Sequence, residues 1–77
     1  MSSAEWLAYV KEHGDRLTEQ LRVRLADSGI TGIAPGFPPA VVYVRRLLGP
    51  IELNFEAVEL EFDANGNISR AAIVRSW

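Results

Sequence analysis

The sequence predicts an α+β domain in which one long N-terminal amphipathic helix packs on an antiparallel sheet of three or four strands. Residues 2–28 repeat apolar side chains at intervals of three and four, which is the spacing of one helix face. Residues 40–77 are instead rich in β-branched residues, which turn-forming glycines divide into short runs. A chain of 77 residues has room for one core, so we expect residues 1–77 to form a single domain in the order helix, strand, strand, strand.

The N-terminal segment carries signals for both ends of the helix. Ser2 and Glu5 have the spacing of a capping box, in which each side chain satisfies a backbone N–H at the helix start. Met1 and Trp6 stand where a hydrophobic staple would pack. Gly29 fits a left-handed cap after the last turn. The expected apolar face consists of Leu7, Val10, Gly14, Leu17, Leu21 and Leu25.

Gly14 is the weak point of this helix, because a glycine inside a helix costs about 1 kcal/mol relative to alanine. Two explanations are open. The missing side chain could let the helix lie close to the sheet, which is the interpretation we favour, or Asp15 could cap a second helix that begins there.

The segment GITGIAPGFPPA, residues 29–40, indicates a loop, since its glycines and prolines disfavour regular structure. It is nevertheless apolar at Ile33 and Phe37. The loop could close one end of the core, or Phe37 with Pro38 and Pro39 could present a stiff, extended surface to a partner.

The strand region begins with residues 40–48, which Gly49 and Pro50 end. In residues 51–62 the apolar side chains alternate in two phases, and a strand of period two cannot bring both sets to one face without an extra residue. A β-bulge near Glu56–Ala57 would realign them. Without a bulge, the sheet would have two partly apolar faces, one of them available to a partner.

The sequence DANGN could hold calcium or form a turn. Asp63, Asn65 and Asn67 match the first, third and fifth positions of a calcium loop, but Ile68 and Val74 replace the glycine and glutamate that such a loop requires. A turn is therefore the better interpretation.

The favoured turn is type I′ on Asn65-Gly66, the dipeptide most prone to it. Its register suits a core on one face and an ion pair on the other. It sets Phe62 opposite Ser69, Leu60 opposite Ala71, Val58 opposite Ile73 and Glu61 opposite Arg70. A three-residue turn with a bulge at Gly66 would instead bring Arg70 opposite Leu60 on the inner face, which is less favourable.

Composition limits the functional classes. The formal net charge is -2 with charges spread along the chain, which argues against nucleic acid as a partner, and no run approaches the ~20 apolar residues of a membrane helix. The first residues lack the features of a signal peptide, and the chain has no cysteine, which favours a cytoplasmic location. With no cysteine and a single histidine, we expect no metal and no cofactor.

No catalytic constellation emerges from the sequence. His13 lies beside Glu12 and Asp15, but helix neighbours one or two positions apart diverge, so we assign no catalytic residue. The strand acids alternate with apolar residues and indicate a solvated sheet face that arginines balance. The acids are Glu52, Glu56, Glu59, Glu61 and Asp63, and the arginines are Arg45, Arg46, Arg70 and Arg75.

Two functions remain open. Hydrophobic residues make up 48% of the chain, a high fraction for so small a domain, so part of this surface should be exposed. This favours a non-enzymatic protein–protein interaction module, a small regulator, adaptor or inhibitor that also forms a homodimer. The candidate contact residues are Ile33, Phe37, Pro38, Pro39, Ile51, Leu53, Phe55 and Trp77. The alternative is a small-molecule-binding domain or small enzyme with a pocket between helix and sheet, lined by Tyr9, His13 and Tyr43.

Overall fold

One helix precedes a sheet of four strands. The structure, a computed structural model, describes residues 2–25, 29–37 and 39–75, without the side chains of residues 48, 53–55 and 75. The elements are α1 (Ser3–Arg24), β1 (Ile30–Pro35), β2 (Val41–Leu48), β3 (Ile51–Phe62) and β4 (Ile68–Arg75). The strands form an antiparallel sheet in the order β1-β2-β3-β4, and α1 packs on one face of it. The predicted α+β class is confirmed.

The predicted start of α1 is confirmed. The Ser2 hydroxyl accepts the Glu5 N–H at 3.2 Å, and the Glu5 carboxylate accepts the Ser2 N–H at 3.4 Å. Two hydrogen bonds lower the pKa of Glu5 below its usual value. The larger cause is the bond with the Ser2 side chain, and the smaller is the bond with the Ser2 backbone. The capping box therefore favours the ionised carboxylate at the positive end of the helix dipole.

The helix continues unbroken through Gly14, and the expected close approach at this residue is wrong. Apart from its chain neighbours and the backbone of the helix itself, no described atom lies within 4 Å of the position that a Cβ on Gly14 would occupy. The helix also ends earlier than residue 28, with Arg24 as its last residue and Leu25 as C-cap. Residues 26–28 lie outside the described part of the chain. Gly29, with φ +73°, therefore does not cap the helix directly but leads into β1.

The face of α1 that packs on the sheet is centred on Trp6 instead of Leu7. Trp6 is 2% exposed and its indole N–H donates to the Val41 carbonyl at 2.9 Å, whereas Leu7 is 56% exposed. The same Val41 oxygen accepts the Gly36 N–H at 2.7 Å. One carbonyl thus ties the helix start to two strands of the sheet. The predicted staple between Met1 and Trp6 involves Met1, which lies outside the described residues.

The segment predicted as a loop contains the edge strand β1, so that prediction is wrong. An edge strand tolerates glycine and proline, since one side of its backbone has no partner strand to satisfy. Two glycines allow its ends to lie against β2. A Cβ on Gly29 would lie 2.4 Å from the Leu47 carbonyl oxygen, and one on Gly36 would lie 2.7 Å from that of Val41. Glycine here marks close backbone approach, not irregular structure.

The predicted bulge in β3 is present, slightly before its expected position. Val44 pairs with Glu56 and Arg46 with Leu53, so β3 has one more residue than β2 in this interval, directly before Glu56. The turn between the two strands fits type II′, with Gly49 at φ +61° in its first central position. After the bulge, Val58 and Leu60 lie in the core on the helix side of the sheet.

The predicted type I′ turn is wrong, although most of its register survives. Asp63 N–H donates to Asn67 O at 2.8 Å, which closes a three-residue turn with Gly66 at φ +78°. A bulge near the start of β4 then keeps Arg70 from facing Leu60 on the inner face, which was the expected disadvantage of a three-residue turn. It makes Phe62 face Ile68 instead of Ser69 and restores the three other predicted pairs, Leu60 with Ala71, Val58 with Ile73 and Glu61 with Arg70.

Candidate functional site

A groove of about 550 Å³ runs between α1 and the edge strand β1. It extends along most of the helix and along β1. The helix contributes Leu7, Val10, Lys11, Gly14, Asp15, Thr18, Glu19 and Arg22, and the strand contributes Thr31, Gly32, Ile33, Ala34 and Pro35. The groove therefore combines an apolar wall, a charged rim and the backbone of a sheet edge.

Gly14 keeps the middle of the groove open, because it places no side chain between helix and strand. The neighbouring polar group is satisfied within the helix, since the Thr18 hydroxyl donates to the Gly14 carbonyl at 2.7 Å. Apolar surface remains available at the half-exposed Leu7 and at Ile33. The centre of the groove thus presents space and apolar contacts without an unsatisfied hydroxyl.

The charged rim is balanced in sign and held at one end. Lys11 and Arg22 oppose Asp15 and Glu19. Arg22 contacts Glu19, and its Nε donates to the Ile30 carbonyl at 2.9 Å, which links the helix to the first residue of β1. Because the formal charges of these four residues cancel, the groove has no electrostatic preference for one sign of ligand.

The backbone of β1 offers hydrogen-bonding groups to this groove. Gly36 donates to Val41 across the ladder, and pairing alternates along an antiparallel strand, so Ala34 and Gly32 also bond to β2. The N–H and C=O of Ile33 therefore point to the open edge. Pro35 also points outward but has no N–H. An added strand would find one complete donor–acceptor residue and one further acceptor here.

The predicted contact residues occupy different ends of the molecule. Ile33 lines the groove, and Phe37, 76% exposed, follows β1 shortly before Pro39. Ile51, 61% exposed, lies at the β2–β3 hairpin, the opposite end of β2. Pro38 and Trp77, with the side chains of Leu53 and Phe55, lie outside the described part of the structure.

The three residues predicted for a ligand pocket do not line the groove. The Tyr9 ring stacks on Trp6 with centroids 5.8 Å apart, and the His13 ring lies 4.6 Å from Tyr9. Tyr43 lies between two core residues of β2, Val42 and Val44, and so belongs to the sheet face that points away from α1. The structure brings Tyr9 and His13 together and leaves Tyr43 apart from them.

An ion pair on the inner face was missed by the sequence reasoning. Arg46 Nη2 lies 2.9 Å from Glu56 Oε1, with the side chains 20% and 12% exposed. The expectation that both residues belong to a solvated outer face is wrong, because the bulge before Glu56 turns this carboxylate to the side of Val44. Arg46 Nε and Glu56 Oε2 are buried without a hydrogen-bond partner in the described structure. The outer face keeps the predicted pair of Glu61 and Arg70, at 3.4 Å.

The Asp63 side chain stabilises the turn between β3 and β4. Its Oδ1 accepts the backbone N–H groups of Asn65 at 2.9 Å and Asn67 at 3.0 Å, as in an Asx turn. Within the described ranges, no group of three or more histidine, cysteine, aspartate or glutamate side chains could hold a metal ion. In the same part of the chain, no helix has both the length and the apolar character needed to cross a membrane.

Comparison with known proteins gave no relative for this chain. No family model, no curated protein and no solved structure matches it.

Proposed function

We propose that this chain is a non-enzymatic interaction module, a cytoplasmic regulator, adaptor or inhibitor, that binds an extended segment of a partner protein. The segment would lie in the groove between α1 and β1. The observation that carries the proposal is the position of this groove along an open sheet edge, where Ile33 presents both backbone groups. A strand added to such an edge gains main-chain hydrogen bonds, and its alternate side chains enter the adjoining groove.

The edge also limits how the segment binds. β1 has six residues, and Pro35 removes one outward N–H, so the backbone supports a short pairing only. Most of the affinity must then come from apolar contacts with Leu7 and Ile33. Phe37 extends this surface beyond the end of the strand. Such a site suits a weak, reversible partner better than a permanent one.

Charge sets a second property of the proposed complex. The two basic and two acidic residues of the rim cancel, so we expect affinity to change less than about threefold between 50 mM and 500 mM salt. The favoured partner is therefore an extended segment with apolar side chains at alternate positions and no strong net charge.

The test combines peptide selection with a variant that fills the groove. Peptides selected from a random displayed library on the wild-type chain should shift the amide NMR signals of residues 31–35 and of the facing helix residues. Gly14→Leu should abolish binding without unfolding the chain, since the site of the new side chain is open. Ala8→Leu, a matched change at an exposed helix position that does not line the groove, should leave binding intact. Selected peptides that bind Gly14→Leu as tightly as wild type would overturn the proposal.

A small-molecule function is the second candidate, because the groove volume of about 550 Å³ is within the usual range for ligand pockets. A metabolite panel read by thermal shift separates the two. A shift that Gly14→Leu abolishes would favour a small ligand in the groove. A shift that His13→Ala abolishes would instead place the ligand at the aromatic contact between Tyr9 and His13.

A further inference from the structure

The second edge of the sheet, strand β4, carries a different interaction surface. We infer that a second copy of this chain pairs with it in antiparallel orientation, with a two-fold axis at Ala72, so that the two sheets become continuous. This goes beyond the proposed function, since the groove lies at the other edge of the sheet and either surface could exist without the other.

The register identifies which backbone groups of β4 point to the open edge. Asp63 N–H donates to Asn67 O, so the next pair, Phe62 with Ile68, is not hydrogen-bonded and Ile68 points outward. Two helix side chains confirm this direction. Gln20 Oε1 accepts the Ile68 N–H at 2.9 Å, and Arg24 Nε donates to the Ile68 carbonyl at 3.1 Å.

The same alternation applies between the two bulges of β4, one between Ile68 and Arg70 and the other between Ile73 and Arg75. Glu61 pairs with Arg70 and Glu59 with Ala72, and the odd-numbered residues of β3 bond toward β4 because Leu60 N–H donates to Ala40 on the other side. Ala71 and Ile73 therefore point their N–H and C=O groups outward. β4 is an edge strand of the sheet, so no described strand pairs with these groups.

This edge is complementary to itself. When two copies of β4 run antiparallel about Ala72, Ala71 of each faces Ile73 of the other, and each of these two pairs exchanges two hydrogen bonds. The smallest side chain with a Cβ lies on the axis, where Ala72 faces its own copy. The nearest charged residue, Arg70, lies two positions from the axis, so no like charges are directly opposed there, and Arg70 is already paired with Glu61 at 3.4 Å.

Exposure and composition favour this occupant. Ile73 is 48% and Val74 54% exposed, although both belong to a sheet strand. Natural edge strands avoid uncontrolled pairing by means of proline, charged side chains or β-bulges. β1 has Pro35 and Gly32, whereas residues 69–74 of β4 contain no proline, glycine or lysine. β4 has a bulge on either side of residues 70–73 and a charge at Arg70, so its pairing with a second copy is confined to this short run around Ala72.

A cysteine at the axis tests this register, because the chain has no natural cysteine. In Ala72→Cys the two thiols would face each other with Cα atoms about 4.5 Å apart, close enough for a disulfide. Mild oxidation should convert most of the protein to a cross-linked dimer. Val74→Cys is the matched control, because residue 74 lies two positions from the axis and its own copy is roughly 13 Å away. Equal cross-linking of both variants, or none in Ala72→Cys, would overturn the inference.

A charge pair at the same position gives an independent measurement. Ala72→Lys faces Glu59 within its own chain, which supports the fold, but would place two ammonium groups opposite each other in the dimer. Sedimentation equilibrium from ~1 µM to ~1 mM should show a wild-type dimer, and dimerisation about tenfold weaker for Ala72→Lys. Mixing Ala72→Lys with Ala72→Glu should restore a heterodimer. A wild-type chain that stays monomeric over this range contradicts the inference, whereas failure of peptide binding alone leaves it unaffected.

Discussion

The two edge strands of the sheet, β1 and β4, form different hydrogen bonds with the same helix. At β1, Arg22 of α1 bonds to the Ile30 carbonyl, and the remaining length of the strand borders an open groove. At β4, Gln20 and Arg24 take up both backbone groups of Ile68, and the strand beyond is left without cover. The helix thus satisfies the first residue of each edge strand. What each edge can bind afterwards depends on the strand's own sequence.

That difference has a physical basis in the side chains of the strands. β1 contains proline and glycine, so it can accept little more than one paired residue and needs the groove for affinity. β4 alternates alanine and isoleucine at its outward positions and can pair along its backbone. Two edges of one small sheet are therefore suited to different occupants, a partner segment at β1 and a second copy at β4.

The largest expected effect on stability comes from a substitution that disrupts the packing of β1 against β2. Gly29→Ala should lower the free energy of unfolding by about 3 kcal/mol, because a Cβ would meet the Leu47 carbonyl oxygen at 2.4 Å with φ at +73°. Gly49→Ala is the matched control, with φ +61° and, apart from the chain neighbours, no described atom within 4 Å of the added Cβ. It should cost about 1 kcal/mol from backbone strain alone. Urea denaturation measures both, and equal losses would mean that β1 does not depend on close approach to β2.

The next largest effect comes from removing the hydrogen bond by which the helix satisfies Ile68, the first residue of β4. Gln20→Ala leaves the buried Ile68 N–H without its acceptor and should destabilise the chain by about 1–2 kcal/mol. Gln20→Glu keeps an acceptor for the Ile68 N–H but loses the amide N–H that donates to Asn67 Oδ1 at 2.9 Å, so it should retain only part of the stability. Urea denaturation of both variants checks this, together with faster exchange of the Ile68 amide in Gln20→Ala. A neutral Gln20→Ala would show that the helix does not close this end of the edge.

A smaller effect, of opposite sign, concerns the groove. Gly14→Ala should raise the free energy of unfolding by about 0.5–1 kcal/mol, since alanine favours the helix and its methyl group enters open space. Thermal and urea unfolding measure the gain. A loss of stability would show that the helix approaches β1 more closely than the groove described above allows.

The smallest expected effect concerns the capping box at the start of α1, and it should leave both edges of the sheet unchanged. The pKa of Glu5 is lower in the folded chain than its usual value, so its contribution to stability is present above the unfolded pKa and is lost as the pH falls through the folded pKa. Ser2→Ala should move the Glu5 pKa back toward its usual value in an NMR titration. Amide shifts in β1 and β4 that follow this titration would contradict the separation of the capping box from the edges.

The sequence predicted the elements whose signals are local. The capping box, the strand before Gly49 and the need for a bulge in β3 follow from residues near one another in the chain. It failed where a residue's role depends on a distant segment. Glycine and proline in residues 29–36 indicate a loop until β2 is known to lie beside them, and Glu56 appears solvated until the bulge is placed.

The candidate site was predicted only in outline. Ile33 and Phe37 were chosen as exposed apolar residues, and the structure places Ile33 in the groove and Phe37 beyond its strand. No sequence signal showed that Gly14 would leave space beside an edge strand, because that depends on where the helix crosses the sheet. The self-complementary register of β4 also required the bulge near the start of that strand, which no local pattern indicated.

Amide hydrogen exchange resolved by residue tests the contrast between the edges most directly. Protection of the Ala71 and Ile73 amides should rise with protein concentration, while Ile33 should exchange quickly at every concentration and slow only when a selected peptide is added. Concentration-dependent protection of Ile33, or Ala71 and Ile73 amides that exchange equally fast at all concentrations, would contradict the assignment of the two edges to different occupants.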